Sequence, residues 1–238
     1  MTLNMPDHPD FTSINLSHPL QDVHRVRQER AEHYRYKLAR ELFPSTMCGK
    51  RVLELGCGRS EFARQLAELG FEIVVTDLSP SNVEFARSLG FNAHRIDLNL
   101  GLSAFESQSF DLVIILDVIE HIVQVEFLLL EIFRVLKSGG YLILSTPNFV
   151  FFANRMRIFL GNLSIDEGYH FRFFTVKSLH NQLKKAGFEV EDWRFVMPPL
   201  GLNRIWRLLG KGKPKKIPVP KWLAPLFGQT MAVRSKKP

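Results

Sequence analysis

Five short apolar runs, RVLELG (51–56), EIVVTD (72–77), AHRIDL (93–98), FDLVIILDV (110–118) and YLILSTP (141–147), alternate with stretches of helical character. Runs that are apolar at nearly every position belong to strands buried on both faces, and strands separated by helices pair in parallel. The expected class is therefore α/β, an open doubly wound parallel sheet with helices on both faces. At 238 residues the chain is long enough for one sizeable core.

The junctions agree with this reading. Three helical segments end in Gly-Phe and run into a strand, at AELGFEIVV, RSLGFNAHRI and KKAGFEVEDW. Gly70, Gly90 and Gly187 suit a left-handed helix end, and the following Phe can fold back on the last turn. Ser79 before Pro80 reads as an N-cap with proline at the first helical position. Upstream, residues 22–43 place Val23, Val26, Arg30, Tyr34, Leu38 and Leu42 at helical spacing, which predicts an amphipathic helix ending before Pro44. Residues 1–44 thus form an arm and helix ahead of a main domain spanning 45–238. Within that domain, 148–174 is aromatic and partly basic and leaves the edge where ligands bind in such sheets, a candidate lid. Residues 197–227, rich in Pro, Lys, Trp and Leu, form a candidate basic cap.

Composition removes several classes. Hydrophobic residues at 45% and charged residues at 23% are globular values. Asp117 and Glu120 break the longest apolar stretch well short of the ~20 residues of a membrane span. The start, MTLNMPDHPD, lacks a secretory layout, and Cys48 and Cys57 have neither metal nor disulfide spacing, so a reducing cytoplasmic compartment is expected. Ten of the 31 basic residues and none of the 24 acidic ones lie from residue 200 onward, leaving 21 basic against 24 acidic before it. The net charge of +7 belongs to the tail.

The run VLELGCGRSEF (52–62) is a strand, a Gly-x-Gly turn and a helix start, and Asp77 follows Gly56 by 21 residues. Such an outline suits a nucleoside ligand whose ribose hydroxyls donate to the acid. A dinucleotide fingerprint asks for a third glycine where Glu61 stands, and a carboxylate there repels a pyrophosphate that the helix N-terminus should attract. A cationic sulfonium with an amino-acid end and an adenosine end fits better. Gly56 and Gly58 would let backbone amides approach its carboxylate, Glu54 and Glu61 bring negative charge to its ammonium or sulfonium, and Asp77 holds its ribose. Asp97, after the third strand, would accept from the adenine amine while Leu98 offers a backbone amide. That ligand is S-adenosylmethionine.

On these motifs the chain resembles the class I S-adenosylmethionine-dependent methyltransferases over roughly residues 45–195, including branches acting in glycan and lipid-linked sugar pathways and on quinone precursors. The resemblance implies a Rossmann-like, seven-stranded sheet whose last strand is antiparallel. It also implies that Glu54, Gly56, Cys57 and Gly58 surround the methionine part, that Asp77 takes the ribose and Leu78 packs on adenine, that Asp97 and Leu98 serve adenine, and that Asp117 lies near the cofactor. Ser60 stands where the family often has a third glycine, and is expected to cap the helix.

Methyl transfer to oxygen requires loss of a proton, and His is the usual base. His121, just past the fourth strand, has two readings: that base, or a histidine bonded to a neighbouring loop. His170, in the stretch GYHFRFFT with Arg172, is the second candidate, while Phe171, Phe173 and Phe174 read as core and Thr175 as a helix cap. The eight histidines show no metal-binding spacing, so no metal is expected. The anticipated acceptor is a hydroxyl of a sugar, lipid-linked glycan or small metabolite. Alternatives are a quinone-type phenol, or a cofactor-binding assembly protein at a membrane surface. The basic tail, residues 200–227, carries Trp206, Leu208, Leu209, Trp222, Leu226 and Phe227 among its lysines. It suits either a substrate cap or peripheral contact with an anionic inner-membrane surface, and nucleic acid is a weaker third reading.

Overall fold

The computed structural model describes residues 34–44, 50–162, 170–197 and 223–238. Seven strands, β1 (Arg51–Leu55), β2 (Glu72–Asp77), β3 (Asn92–Arg95), β4 (Phe110–Leu116), β5 (Leu136–Pro147), β6 (Glu189–Val196) and β7 (Thr230–Lys236), form one sheet in the order β3-β2-β1-β4-β5-β7-β6. Strands β1 to β5 are parallel, and β7 is antiparallel to both β5 and β6. The order reverses between β1 and β4. A crevice opens at such a reversal beyond the carboxyl ends of the strands.

Alternate residues of the apolar runs feed two cores. Val52, Leu112, Ile114 and Ile143 face helices α1 (34–41), α2 (Glu61–Ala67) and α3 (Pro80–Ser88) through Leu42, Phe62, Leu66 and Ala86. Leu53, Leu55, Val113, Ile115 and Leu142 face α4 (Val125–Val135) and α6 (Val176–Lys185) through Leu128, Ile132, Leu179 and Leu183. Each such buried side chain contributes about 1.5–3 kcal/mol, so the sheet is held from both sides.

The Gly-Phe junctions form as the sequence predicts. Gly70, Gly90 and Gly187 have φ of +82°, +87° and +95°, and the amides of Phe71, Phe91 and Phe188 donate to the carbonyls of Leu66, Ala86 and Leu183. These bonds satisfy carbonyls that the helix ends would otherwise orphan. Thr175 caps α6 in a reciprocal capping box with Ser178. Ser79 takes the N-cap place before Pro80, but its side chain makes no cap bond.

Three expectations change. Ser60 precedes α2 but does not cap it with its side chain; it is fully buried, with φ +56°, and its hydroxyl lies 3.6 Å from the Cys57 sulfur. It occupies the left-handed conformation that a glycine takes without strain. In α1, Tyr34 is exposed and the inward ring is Tyr36, stacked on Phe62 at 5.0 Å between centroids. Of the phenylalanines after His170 only Phe174 is core, while Phe171 and Phe173 are exposed. Within 148–174 a helix forms, α5 (Phe152–Phe159), none of whose residues is buried.

Residues 1–33 of the candidate arm and helix, 163–169 of the candidate lid and 198–222 of the candidate cap lie outside the described residues. The end of that cap is described: α7 (Ala224–Phe227) is tied to the β5 exit by the Asn148 amide, which donates to the carbonyls of Pro225 and Gly228. No helix among the described residues is long and apolar enough to cross a membrane.

Candidate active site

Loops from the carboxyl ends of β1, β2, β3 and β4 meet around a pocket of about 340 Å³, within the usual ~300–1,000 Å³ of small-ligand sites. Its lining includes Gly56 and Gly58 after β1, Asp77 and Leu78 after β2, Asp97 and Leu98 after β3, and Asp117 and His121 after β4. The structure thus brings eight of the expected residues to one pocket. Cys57 and Glu54 are buried and do not line it.

The β1 loop is closely fitted. A Cβ at Gly56 would meet a Val118 methyl at 2.5 Å, so the β1 and β4 loops pack together only because that residue is glycine. At Gly58 a Cβ would meet nothing within 4 Å, leaving open space on that side. The loop amides expected to face a carboxylate are engaged elsewhere: those of Gly56 and Cys57 donate to the Thr76 carbonyl, both at 2.9 Å, and that of Gly58 donates to Asp77 Oδ2 at 2.9 Å. Asp77 Oδ1 accepts from the Ser79 amide and from Asn82. Two ionised oxygens offer about four acceptor sites, so Asp77 keeps capacity for a hydroxyl. Asp97 is oriented in the same manner, its Oδ1 accepting from the amide and side chain of Asn99.

The charge of the pocket is unusual. Burial pushes the Glu54 carboxyl up to about 8, and the Arg35 guanidinium opposes that rise. Glu54 Oε2 is buried with no hydrogen-bond partner among the described residues. Burial also raises Asp117, which accepts from the Ser145 hydroxyl at 2.6 Å, and lifts Glu120 to about 8 with help from the Asp117 charge. The Cys57 thiol is pushed up to about 11 by burial, so it stays protonated and is no nucleophile. Burial favours the neutral form of these three carboxylic acids, and a cationic ligand end brought near them favours the charged form again, which an anionic phosphate cannot do; the unpartnered Glu54 oxygen leaves acceptor capacity on that side. The residues present therefore fit the expected cofactor.

Arg35 was missed by the sequence reading. It lines the pocket from α1, and its charge acts on Glu54, Asp117 and Glu120. A signal existed: Arg35 shares a helical face with Leu38, Ala39 and Leu42, which are buried, so a cation stands on an apolar stripe. The two candidate histidines come together. His121 and His170, 49 residues apart, have ring centroids 4.8 Å from each other. Arg172 does not turn to the pocket, because its guanidinium donates to the Val123 carbonyl.

Comparison with known proteins agrees with the geometry. A family model described as a methyltransferase domain matches residues 25–192. A probable S-adenosylmethionine-dependent methyltransferase of Mycolicibacterium smegmatis is 30% identical over 174 residues, covering 72% of this chain and 64% of that protein. The ubiquinone biosynthesis O-methyltransferase of Xanthomonas oryzae pv. oryzae is 27% identical over 184 residues, covering 73% of this chain and 74% of the other. Among solved structures, a SAM-dependent methyltransferase from Archaeoglobus fulgidus superposes with a TM-score of 0.65 at 22% identity, covering 90% of this chain and 99% of that one. That likeness concerns the fold.

Proposed function

Because the chain belongs to the S-adenosylmethionine-dependent methyltransferase family, we propose that it transfers the donor's methyl group to a hydroxyl of a small acceptor, a sugar, a lipid-linked glycan or another metabolite. The observation that carries this reading is the meeting of His121 and His170 at the β4 exit, next to the carboxylate-lined pocket. S-adenosylmethionine supplies an activated methyl on a sulfonium. The remaining work is positioning, exclusion of water and removal of the hydroxyl proton.

The roles follow from the lining. Asp77 takes a ribose hydroxyl, Leu78 and Leu98 cover the adenine, and Asp97 stands at its amine edge. Asp117 faces the ammonium and sulfonium end, with Gly56 and Gly58 leaving room and the buried Glu54 and Cys57 packing behind the lining. Arg35, rather than the loop amides, receives the donor's carboxylate, since guanidinium and carboxylate pair well. His121 and His170 serve the acceptor hydroxyl.

The exit of β5 suits an apolar or lipid-linked acceptor. Helix α5 leaves that edge with Phe152, Met156, Ile158 and Phe159 exposed, Phe159 at 83%, beside Arg155 and Arg157. Aromatic residues among cations match an anionic membrane surface. A quinone-type phenol is the second reading, favoured by the Xanthomonas relative's name. Methyl-labelled donor incubated with the protein and separate glycan, lipid and quinone pools tests the proposal. Label should enter one pool; donor binding with transfer to none would leave a cofactor-binding protein instead.

A further inference from the structure

At the β4 exit, Glu120, His121 and His170 each present one ligand atom, a carboxylate oxygen or a ring nitrogen, and all three lie within 4.8 Å of one another. The backbone builds this cluster from two distant segments. The amides of Phe171 and Arg172 both donate to the Glu120 carbonyl, at 2.9 and 3.1 Å, which fixes His170 against the turn that carries His121. The Glu120 side chain is buried, and its Oε2 accepts from the Thr146 hydroxyl at 3.0 Å. His121 lines the pocket, so the cluster opens toward it. One imidazole is enough for a proton acceptor. Two imidazoles and an oriented carboxylate converging on one point make a nitrogen and oxygen set suited to a divalent d-block ion.

We propose that Glu120, His121 and His170 form a binding site for a divalent transition-metal ion, and that this ion holds the oxygen to be methylated. The second half rests on the methyltransferase reading; the first does not. With bonds of ~2.1 Å, tetrahedral ligand atoms stand ~3.4 Å apart, so the three side chains close by about an ångström on the ion. Three protein ligands leave a fourth position open, the layout of a catalytic rather than a structural site. An acceptor hydroxyl bound there becomes more acidic and releases its proton to water. Its oxygen lone pair then forms the bond to the methyl carbon as the carbon–sulfur bond breaks, and that bonding pair remains on sulfur as a neutral thioether. Expansion to five-coordination adds a second open position, through which the ion chelates neighbouring oxygens and selects acceptors bearing adjacent hydroxyls, whether on a sugar or on an aromatic ring.

The test uses cobalt(II) alone, titrated into chelator-treated full-length protein and followed by its visible ligand-field bands, with calorimetric titration of S-adenosylhomocysteine on the same samples. The expected result is one equivalent of cobalt with imidazole-type bands. His170→Ala and His121→Ala should each weaken cobalt binding by at least about 10–100-fold, and His170→Ala, at a position outside the donor-pocket lining, should leave S-adenosylhomocysteine binding unchanged. Because His121 is exposed, its variant keeps the test open if His170→Ala does not fold. Wild-type protein that takes up no stoichiometric cobalt, or variants that bind it equally well, overturn the metal site. If S-adenosylhomocysteine still binds in that case, the methyltransferase reading survives. Cobalt binding without S-adenosylhomocysteine binding upholds the metal site and removes the donor pocket.

Discussion

Asp77 shows how a residue legible in the sequence acquires its role from surroundings that were not. Its place after an apolar strand, 21 residues past Gly56, marks it as a ligand-facing acid. The bonds from Gly58, Ser79 and Asn82 that aim it come from the β1 loop, the β2 loop and the first turn of α3. Asp77→Ala should weaken donor binding about 10–100-fold, on the order of 1.5–3 kcal/mol for a charged hydrogen bond, as read by equilibrium dialysis of labelled donor; unchanged binding removes it from the ribose. Glu54 adds a pH dependence. Its carboxyl is raised from 4.5 to about 8 by burial, so between those values the folded, empty protein holds a proton that the unfolded chain has lost. Stability of the empty protein therefore falls as pH rises through that window, and Glu54→Gln should flatten the fall. Denaturant titrations from pH 5 to 8.5 read this directly, and parallel slopes in both proteins would contradict it. Ser60, left-handed and buried, was read as a cap because serine caps helices on average. Ser60→Gly should raise the melting temperature by a few degrees, since left-handed backbone costs a non-glycine residue roughly 1–2 kcal/mol; a lower melting temperature would give the Cys57 contact more weight than the strain.

At the scale of elements, the parallel sheet was legible because the central strands β1, β2 and β4 are buried on both faces and so carry nearly continuous apolar runs, while the edge strand β3 is half-exposed. The Gly-Phe helix ends were legible for a similarly local reason. Their costs should differ by surroundings: Gly70→Ala meets open space and loses only the left-handed preference, whereas a Cβ at Gly187 reaches the Phe133 ring at 3.0 Å. Gly187→Ala should be the more destabilising of the two, and equal losses in thermal unfolding would contradict the close contact. Helix α1 was legible as a helix, but its inward ring was not, since Tyr34 and Tyr36 differ only in what they meet. Tyr36 finds Phe62, and Arg35 finds three carboxylates. The approach of His170 to His121 depends on two backbone bonds across 49 residues, which no local pattern records.

For the whole molecule, the uneven charge and the exposed face of α5 point the same way. The excess of basic over acidic residues lies from residue 200 onward, and α5 shows apolar side chains to solvent beside Arg155 and Arg157. Phe159→Glu should lower sedimentation with anionic vesicles while leaving donor binding intact, and equal sedimentation of both proteins would restrict the acceptor to dissolved molecules. Fold and pocket floor were legible because they follow strand ends, whereas the approach of His170 to His121 and the exposed face of α5 arise only in three dimensions. All of these readings assume that the cavity between the β1 and β4 loops accepts a sulfonium attached to adenosine. Isothermal titration of the unmodified protein with S-adenosylmethionine measures that most directly. The prediction is saturable uptake of one equivalent; no heat with this compound, together with tight uptake of a nicotinamide or flavin dinucleotide, would contradict it.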